Sequence, residues 1–518
     1  MDKYGDKSAA VSLARLQRRD IIRGAAMLGA GAALMRPLPI FAKDGGMADV
    51  RKAAMAGRDA SLKRIRDWIA LPSIAAENRN MPEGAAYMAE LARDAGFANV
   101  EIVPTDGHPG VFGKIDVGAK RTLGIYFMYD VKQYDAAEWS SPPLEGRMVD
   151  RPGFGQAIMG RGAVNQKGPE ATFLAALHAI RAAGRKLPVN IVLICEGEEE
   201  IGSPHFSEIA TKPNILAALR KCEGIFIPAS WQDKNGNVSV NLGSKGIIEL
   251  ELIASGEKWG RGPKGDVHSS LKAMIDSPAW RLVAALNTLV SPDGNISAIE
   301  GWSENVRPLT QREKSLIAEA ANLGDEAQQK QILGVKHWID NLSYPDALTR
   351  LAQEPTVNIE GLVAGYTGPG GKTILPGRAV AKLDLRLVPN QTRAEAERKL
   401  RAHLDKHGFA DIEMNVSGGY DPTETAETSR LIQTELATYR KLGVQANLNA
   451  RLAGSWPGAT FTAPPVSIPA GHFGIGHGSG AHAPDEYYLI DSTNPKVAGL
   501  VDATMGYAEF LYVLAGMK

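Results

Sequence analysis

Residues 122–130 read TLGIYFMYD and residues 189–200 read VNIVLICEGEEE. Both are nearly continuous runs of apolar, β-branched and aromatic side chains of strand length, the pattern of a strand buried on both faces. Both end in acid: Asp130 closes the first, and Glu196-Gly197-Glu198-Glu199-Glu200 closes the second. Working outward, Gly168 to Ala183 reads as a helix, Val100 to Val103 and Gly110 to Ile115 as strands, and Gly84 to Ala95 as a helix closed by Gly96. Val50 to Leu71 has helical spacing, with Ile65, Trp68 and Ile69 on one face. Strands alternating with helices predict an α/β fold, a mixed sheet with helices on both faces. In such sheets ligands bind beyond the carboxyl ends of the strands, where Asp130 and the glutamate run lie.

A chain of 518 residues exceeds what one hydrophobic core organises. From Gly243 the pattern changes to an alternating strand at Gly246 to Ala254, a helix at Ser277 to Leu289, a strand at Val380 to Val388 and a helix at Arg393 to His407. This predicts a smaller α+β domain, residues 243–420, inserted into a first domain formed by 47–242 and 421–518. Gln311 to Asn341 is read as a solvated helical elaboration, and Val497 to Ala515 as the closing helix.

Residues 1–46 have the order of a signal peptide: a polar stretch ending in Arg18-Arg19, a small-residue apolar run from Gly24 to Met35, then Ile40-Phe41-Ala42 before a cleavage point. The paired arginines resemble a twin-arginine signal, which predicts export of a folded protein to the periplasm or beyond. The apolar run is short of the roughly 20 residues that span a bilayer, so no stable membrane span is expected in the mature chain. Lys plus Arg and Asp plus Glu are equal at 58 each, which favours neither nucleic acid nor an anionic membrane as partner. Cys195 and Cys222, far apart in sequence, are read as free thiols.

Seven segments then carry a resemblance. Tyr129-Asp130-Val131, Glu138-Trp139-Ser140-Ser141-Pro142-Pro143, Gly160 to Gly168, Glu196 to Ser203, Asp266-Val267-His268-Ser269, Thr373-Ile374-Leu375-Pro376 with Leu385 to Pro389, and Ala481 to Glu486 occur in one order. Together they resemble the carnosinase, succinyl-diaminopimelate desuccinylase and carboxypeptidase G type of metallopeptidases, over nearly everything after Met47. The resemblance implies a catalytic α/β domain with two zinc-like ions, a lid domain that dimerises, and a glutamate that passes a proton from water to the leaving nitrogen. It also implies five metal-holding side chains: a His two residues before an Asp, a bridging Asp, the second Glu of a pair, a further Asp and a C-terminal His.

Mapped residue by residue, Glu199 matches the general base, Glu200 one metal ligand and His482 the C-terminal ligand. The first His is Met128, the bridging Asp is Asn165, and the last Asp falls in Pro228-Ala229-Ser230-Trp231, so three of the five positions are changed. A thioether does not suit zinc among oxygen and nitrogen donors. Glu200, His482 and the Asn165 oxygen are left to hold at most one divalent metal per chain, zinc by donor type, or none, with His477 as a candidate extra ligand. Without ions, Asp130, Glu199 and Glu200 are expected to raise one another's pKa, with Lys132 and Lys167 as sources of compensating charge. On the same resemblance, His268 stabilises the oxyanion across a homodimer, Arg386 binds a substrate carboxylate, and Gly454 and Ser455 line the pocket. The expected function is hydrolysis of an amide bond in a small peptide-like or N-acyl amino acid substrate. The alternatives are lyase, transferase or cyclase chemistry on the same scaffold, or a non-catalytic binding protein.

Overall fold

A computed structural model describes residues 46–517; residues 1–45, with the export segment read from the sequence, lie outside them. The two acid-ended runs are neighbouring strands. Thr122–Met128 pairs in parallel with Asn190–Glu196, Thr122 opposite Asn190 and Met128 opposite Glu196, so both chains leave the sheet at the same end. The sheet has six strands in the order Ala98–Val103, Gly110–Ile115, Asn190–Glu196, Thr122–Met128, Ile225–Pro228, Ala470–Phe473. The first two strands run antiparallel to their neighbours and the rest are parallel.

Successive side chains of the central strands enter two different cores, as a period of two requires. Ile125, Phe127, Leu193 and Cys195 face one core, with Trp68, Phe173 and Phe510 from the covering helices. Tyr126, Val192 and Ile194 face the other, with Phe206, Trp456 and Phe461. With both faces dry, no polar alternation survives in the sequence. The expected helix from Val50 to Leu71 is two, Ala48–Ala56 and Arg58–Ile69, meeting at Gly57. A glycine weakens a helix interior by about 1 kcal/mol relative to Ala, and the break lets both halves place apolar residues in one core. The strand expected over 122–131 stops at Met128, after which Val131 donates to the carbonyl of Ser73 instead. Cys195 and Cys222 are free and buried.

Residues 246–420 supply a second, antiparallel sheet in the order Thr356–Ala364, Arg378–Leu387, Gly246–Ser255, Glu413–Tyr420. Helices Pro278–Thr288 and Arg393–Lys406 contribute to its separate core, where Leu250, Leu282, Leu383 and Leu400 meet. Thr356–Ala364 was not legible as a strand because six of its nine residues are exposed. The stretch read as one helical elaboration divides into Gln311–Leu323 and Glu326–Leu333. Strand Glu413–Tyr420 reaches back to the glutamate run. Gly419 donates to the carbonyl of Gly202 at 3.3 Å, and the Tyr420 hydroxyl to that of Glu199 at 2.7 Å. Gly202 sits at φ +88, and a Cβ there would lie 2.8 Å from the Gly419 nitrogen, so the close approach requires glycine.

A third sheet, Gly478–Ser479, Tyr487–Ser492, Gly155–Met159, Arg147–Arg151, frames the loop from Gly160 to Lys167. Glu486, fully buried, anchors that loop. Its Oε1 accepts from the backbone N–H groups of Val164 at 2.9 Å and Asn165 at 2.8 Å, and its Oε2 from Gly162 at 3.0 Å and from Arg161 Nη1 at 2.7 Å. Burial pushes the Glu486 carboxyl up while these donors pull it back down. Removing one partner of a buried ion pair strands the other charge, at a cost of about 3–5 kcal/mol. Glu486→Ala is therefore expected to lose about that much stability in urea unfolding. A loss below about 1 kcal/mol would show that the loop holds without this anchor.

Candidate active site

Parallel pairing brings the two acidic loops together. Asp130 is buried, and its carboxylate accepts the backbone N–H of Glu199 at 3.2 Å and of Glu200 at 2.9 Å, tying one strand end to the other. Burial first, and the charge of Glu200 second, push the Asp130 carboxyl up to about 8. Glu199, half-buried, is raised well above the carboxylate range by desolvation, then by Glu200 and Asp130. Its carboxyl has no hydrogen-bond partner among the described residues; only its backbone is held, by Asp130 and Tyr420. Lys132 Nζ lies 3.6 Å from Glu200 Oε2 and donates to the Glu200 carbonyl, so it is the compensating cation. The expected perturbation is thus present at Asp130 and at Glu199. Lys167 plays no such part. It is buried, turned away to donate to the carbonyls of Trp68 at 2.8 Å and Leu71 at 2.9 Å, and desolvation lowers it to about 7.

Asn165, Glu200 and His482 meet as the sequence suggested. Glu200 Oε2 and His482 Nε2 are 3.1 Å apart, a spacing that suits two donors each about 2.0–2.2 Å from one zinc-like ion. Asn165 closes the group with its amide nitrogen, 2.6 Å from Glu200 Oε1 and 3.1 Å from His482 Nε2. The amide N–H therefore faces the position where a bridging carboxylate would place an oxygen; only the opposite amide orientation presents a donor to an ion. His482 has φ +64, a region non-glycine residues seldom occupy. Its loop is fixed by Glu486 and by Asp485, whose carboxylate accepts the Ser140 N–H at 2.8 Å.

Among the described residues, the positions that the resemblance gives to a second ion carry other side chains. Met128 is buried, with its backbone N–H on Glu170, and Ser230 and Trp231 bring no carboxylate. The candidate replacements are engaged elsewhere. His477 holds the Gln232 carbonyl at 2.7 Å and the Tyr487 hydroxyl at 2.9 Å and stacks on Phe154, so it cannot serve as the extra ligand. His205 pairs with Glu198 at 2.8 Å, and Asp233 caps a turn through Asn235 and Asn237. Among the described residues, the one group of three His, Cys, Asp or Glu side chains with ligand atoms within 4.8 Å of one another is not in this pocket.

Of the other expected residues, Arg386 donates to Ser455 Oγ at 3.1 Å and stands 3.3 Å from Asp384, so it is held by a loop hydroxyl and a carboxylate of its own strand. Gly454 adjoins Ser455 on the same partly buried loop. Lys132 and Arg386 both draw down Glu360, whose carboxyl is nevertheless raised by burial and by Glu249 and Asp384; this places the two sets of residues in one electrostatic neighbourhood. His268 is exposed, with Nδ1 on Ser270 Oγ at 2.8 Å and Nε2 3.4 Å from Thr373. Sequence reasoning missed Glu486, Arg161 and Tyr420, which touch the site through backbone groups. For Glu486 the signal was present in the segment Ala481 to Glu486.

The family described as peptidase family M20/M25/M40 matches residues 125–505. The Beta-Ala-His dipeptidase of Rattus norvegicus is 28% identical over 411 residues, 73% of this chain and 80% of its own. The Cys-Gly metallodipeptidase dug1 of Schizosaccharomyces pombe is 26% identical over 368 residues, 67% of this chain and 73% of its own. Among solved structures, the metallo-carboxypeptidase Sso-CP2 of Sulfolobus solfataricus is 30% identical with a TM-score of 0.77, covering 88% of this chain and 99% of that one. Human carnosine dipeptidase 1, at 21% identity and TM-score 0.76, shares the fold over 90% of this chain and 99% of its own. The match to the family over most of the chain, together with the order of its motifs and the mixed sheet that carries them, makes this protein a member of peptidase family M20/M25/M40.

Proposed function

We propose that this protein hydrolyses the amide bond of a small peptide-like or N-acyl amino acid substrate, with Glu199 moving the proton and at most one divalent ion in the pocket. The observation that carries the reading is Glu199 itself. It stands at the end of a buried parallel strand with its backbone fixed, its carboxyl without a hydrogen-bond partner among the described residues, and its proton affinity raised by burial and neighbouring charge. A carboxylate so placed takes a proton from water and returns it to the leaving nitrogen. Asp130 positions the Glu199–Glu200 turn, Lys132 offsets the charge of Glu200, and Arg386 with Ser455 offers a donor fork to a substrate carboxylate. An ion held by Glu200, His482 and the Asn165 oxygen would polarise the carbonyl to be attacked.

The second sheet is proposed as a lid that pairs two copies, with His268 serving the partner's pocket. Its exposed imidazole supports this, since among the described residues it touches only Ser270 beside it and Thr373 of the neighbouring surface segment. Export of the folded chain through the segment bearing Arg18-Arg19 belongs to the same proposal. The Asn165 amide between Glu200 and His482 favours, as a second reading, a reaction that uses Glu199 without an ion.

With Cys-Gly, β-Ala-His and N-acyl amino acids as substrates, Glu199→Gln is expected to lower turnover about 100- to 10,000-fold while the fold is kept. Near-native turnover would remove Glu199 from the role. Treating the native enzyme with a chelator in the same assay separates the two readings: lost activity restored by zinc supports the ion, and unchanged activity supports chemistry on Glu199 alone. Mixing inactive His268→Ala chains with inactive Glu199→Gln chains should restore part of the activity, because one site of each mixed dimer is then complete; demonstrated mixed dimers without recovery would refute the cross-subunit role. Replacing Arg18 and Arg19 by lysine should leave uncleaved precursor inside cells, and unimpaired export of that variant would rule out the twin-arginine route.

A further inference from the structure

Away from the pocket, Glu300, His403 and His407 bring three metal-type ligand atoms within 4.8 Å of one another. His403 and His407 are one turn apart at the end of helix Arg393–Lys406, their rings 4.2 Å apart and 27° from parallel. Glu300 arrives from the loop after helix Pro278–Thr288 and spans both rings, Oε2 against His403 Nδ1 and Oε1 at 2.8 Å from His407 Nε2. The side chain of His403 is 1% exposed and that of His407 37%, so one ligand is rigid and the other opens to solvent.

The protonation state of His403 is set from behind. The Thr288 hydroxyl donates to the Ala285 carbonyl at 2.7 Å, so toward His403 Nε2, 3.0 Å away, its oxygen is the acceptor. Nε2 therefore carries the proton, and in the neutral ring the Nδ1 lone pair points at the Glu300 carboxylate. Two electron-rich atoms face each other unless the ring takes a second proton or a metal cation lies between them. A ring nitrogen whose opposite N–H is held by an oxygen is the usual arrangement of a metal-ligating histidine, and two imidazoles with one carboxylate are a zinc-type donor set with a fourth position for water. The negative end of a helix adds to the attraction for a cation. Lys406 Nζ, 3.0 Å from Glu300 Oε1, competes for that carboxylate, but its side chain is 68% exposed and is able to swing clear.

We infer that Glu300, His403 and His407 bind a divalent transition-metal ion, zinc by donor type, clamping the loop that carries Glu300 to the end of helix Arg393–Lys406. This site shares no residue with the carboxylate pocket, so an ion here together with one in the pocket would exceed the one ion per chain expected from the sequence. The test is a calorimetric zinc titration of the metal-stripped full chain, comparing the native protein with His407→Ala. Any ion in the pocket is common to both, so the difference reads this site. The native protein should take up one more equivalent of zinc, and its melting temperature should rise with zinc by an increment the variant lacks. Residual binding at the site should be weakened at least about tenfold, the lower end of what loss of a supporting partner costs. If His407→Ala does not fold, Glu300→Gln, at an exposed position, is read in its place with the same expectation. Equal stoichiometry and equal zinc-dependent melting in native protein and variant would mean a hydrogen-bonded ion cluster only, and would overturn the inference.

Discussion

The carboxylate of Glu486, without exposure to solvent, receives three backbone N–H groups of the loop 162–165 and the guanidinium of Arg161. A buried ion pair gives little net stability unless its remaining lone pairs are satisfied, because desolvation of the two charges opposes their attraction. Here the loop supplies the missing donors, so the charge pair and the loop conformation are conditions of each other. The consequence reaches the pocket directly. Asn165 is one of the three donors, and His482 lies four residues before Glu486, so one buried anion sets the relative positions of two of the three side chains that meet at Glu200.

Around that anchor the pocket concentrates acid with little to neutralise it. Asp130, Glu199 and Glu200 lie at adjoining strand ends; Lys132 approaches them as a cation, while the amine of Lys167 donates to backbone carbonyls behind the loop. A dinuclear centre would supply four positive charges at such a place. Burial first, and the neighbouring carboxylates second, raise the carboxyls of Asp130 and Glu199.

The second sheet stands in a different relation to its own charges. On its outer face Arg386 is shared between Asp384 and Ser455, within reach of the acidic neighbourhood of Glu249 and Glu360. On its helical side the buried His403 sets Nε2 against the Thr288 hydroxyl and Nδ1 against the Glu300 carboxylate. Polar groups in such surroundings are tolerated only when each is matched, and both arrangements join segments remote in sequence.

Much of this was legible along the chain. The apolar runs ending at Asp130 and at Glu196 to Glu200 declared two buried strands, because side chains that alternate between two dry cores must all be apolar. The glutamate pair, His482 and Arg386 were legible as motif positions, since residue type and local spacing survive in one dimension. The break at Gly57 and the strand Thr356–Ala364 were not, because each depends on which surface happens to be covered. Nor were the turning away of Lys167, the capture of His477 by Gln232 and Tyr487, or the meeting of Glu300 with His403 and His407. In these cases the partners lie up to some hundreds of residues apart, and the outcome is fixed by which donor reaches which acceptor first in the packed chain. The sequence by itself determined the scaffold, the acid at the strand ends and the loss of metal-binding residue types. Only the tertiary structure decided which of the remaining polar side chains face the pocket, because a side chain's direction is set by contacts that exist only after folding.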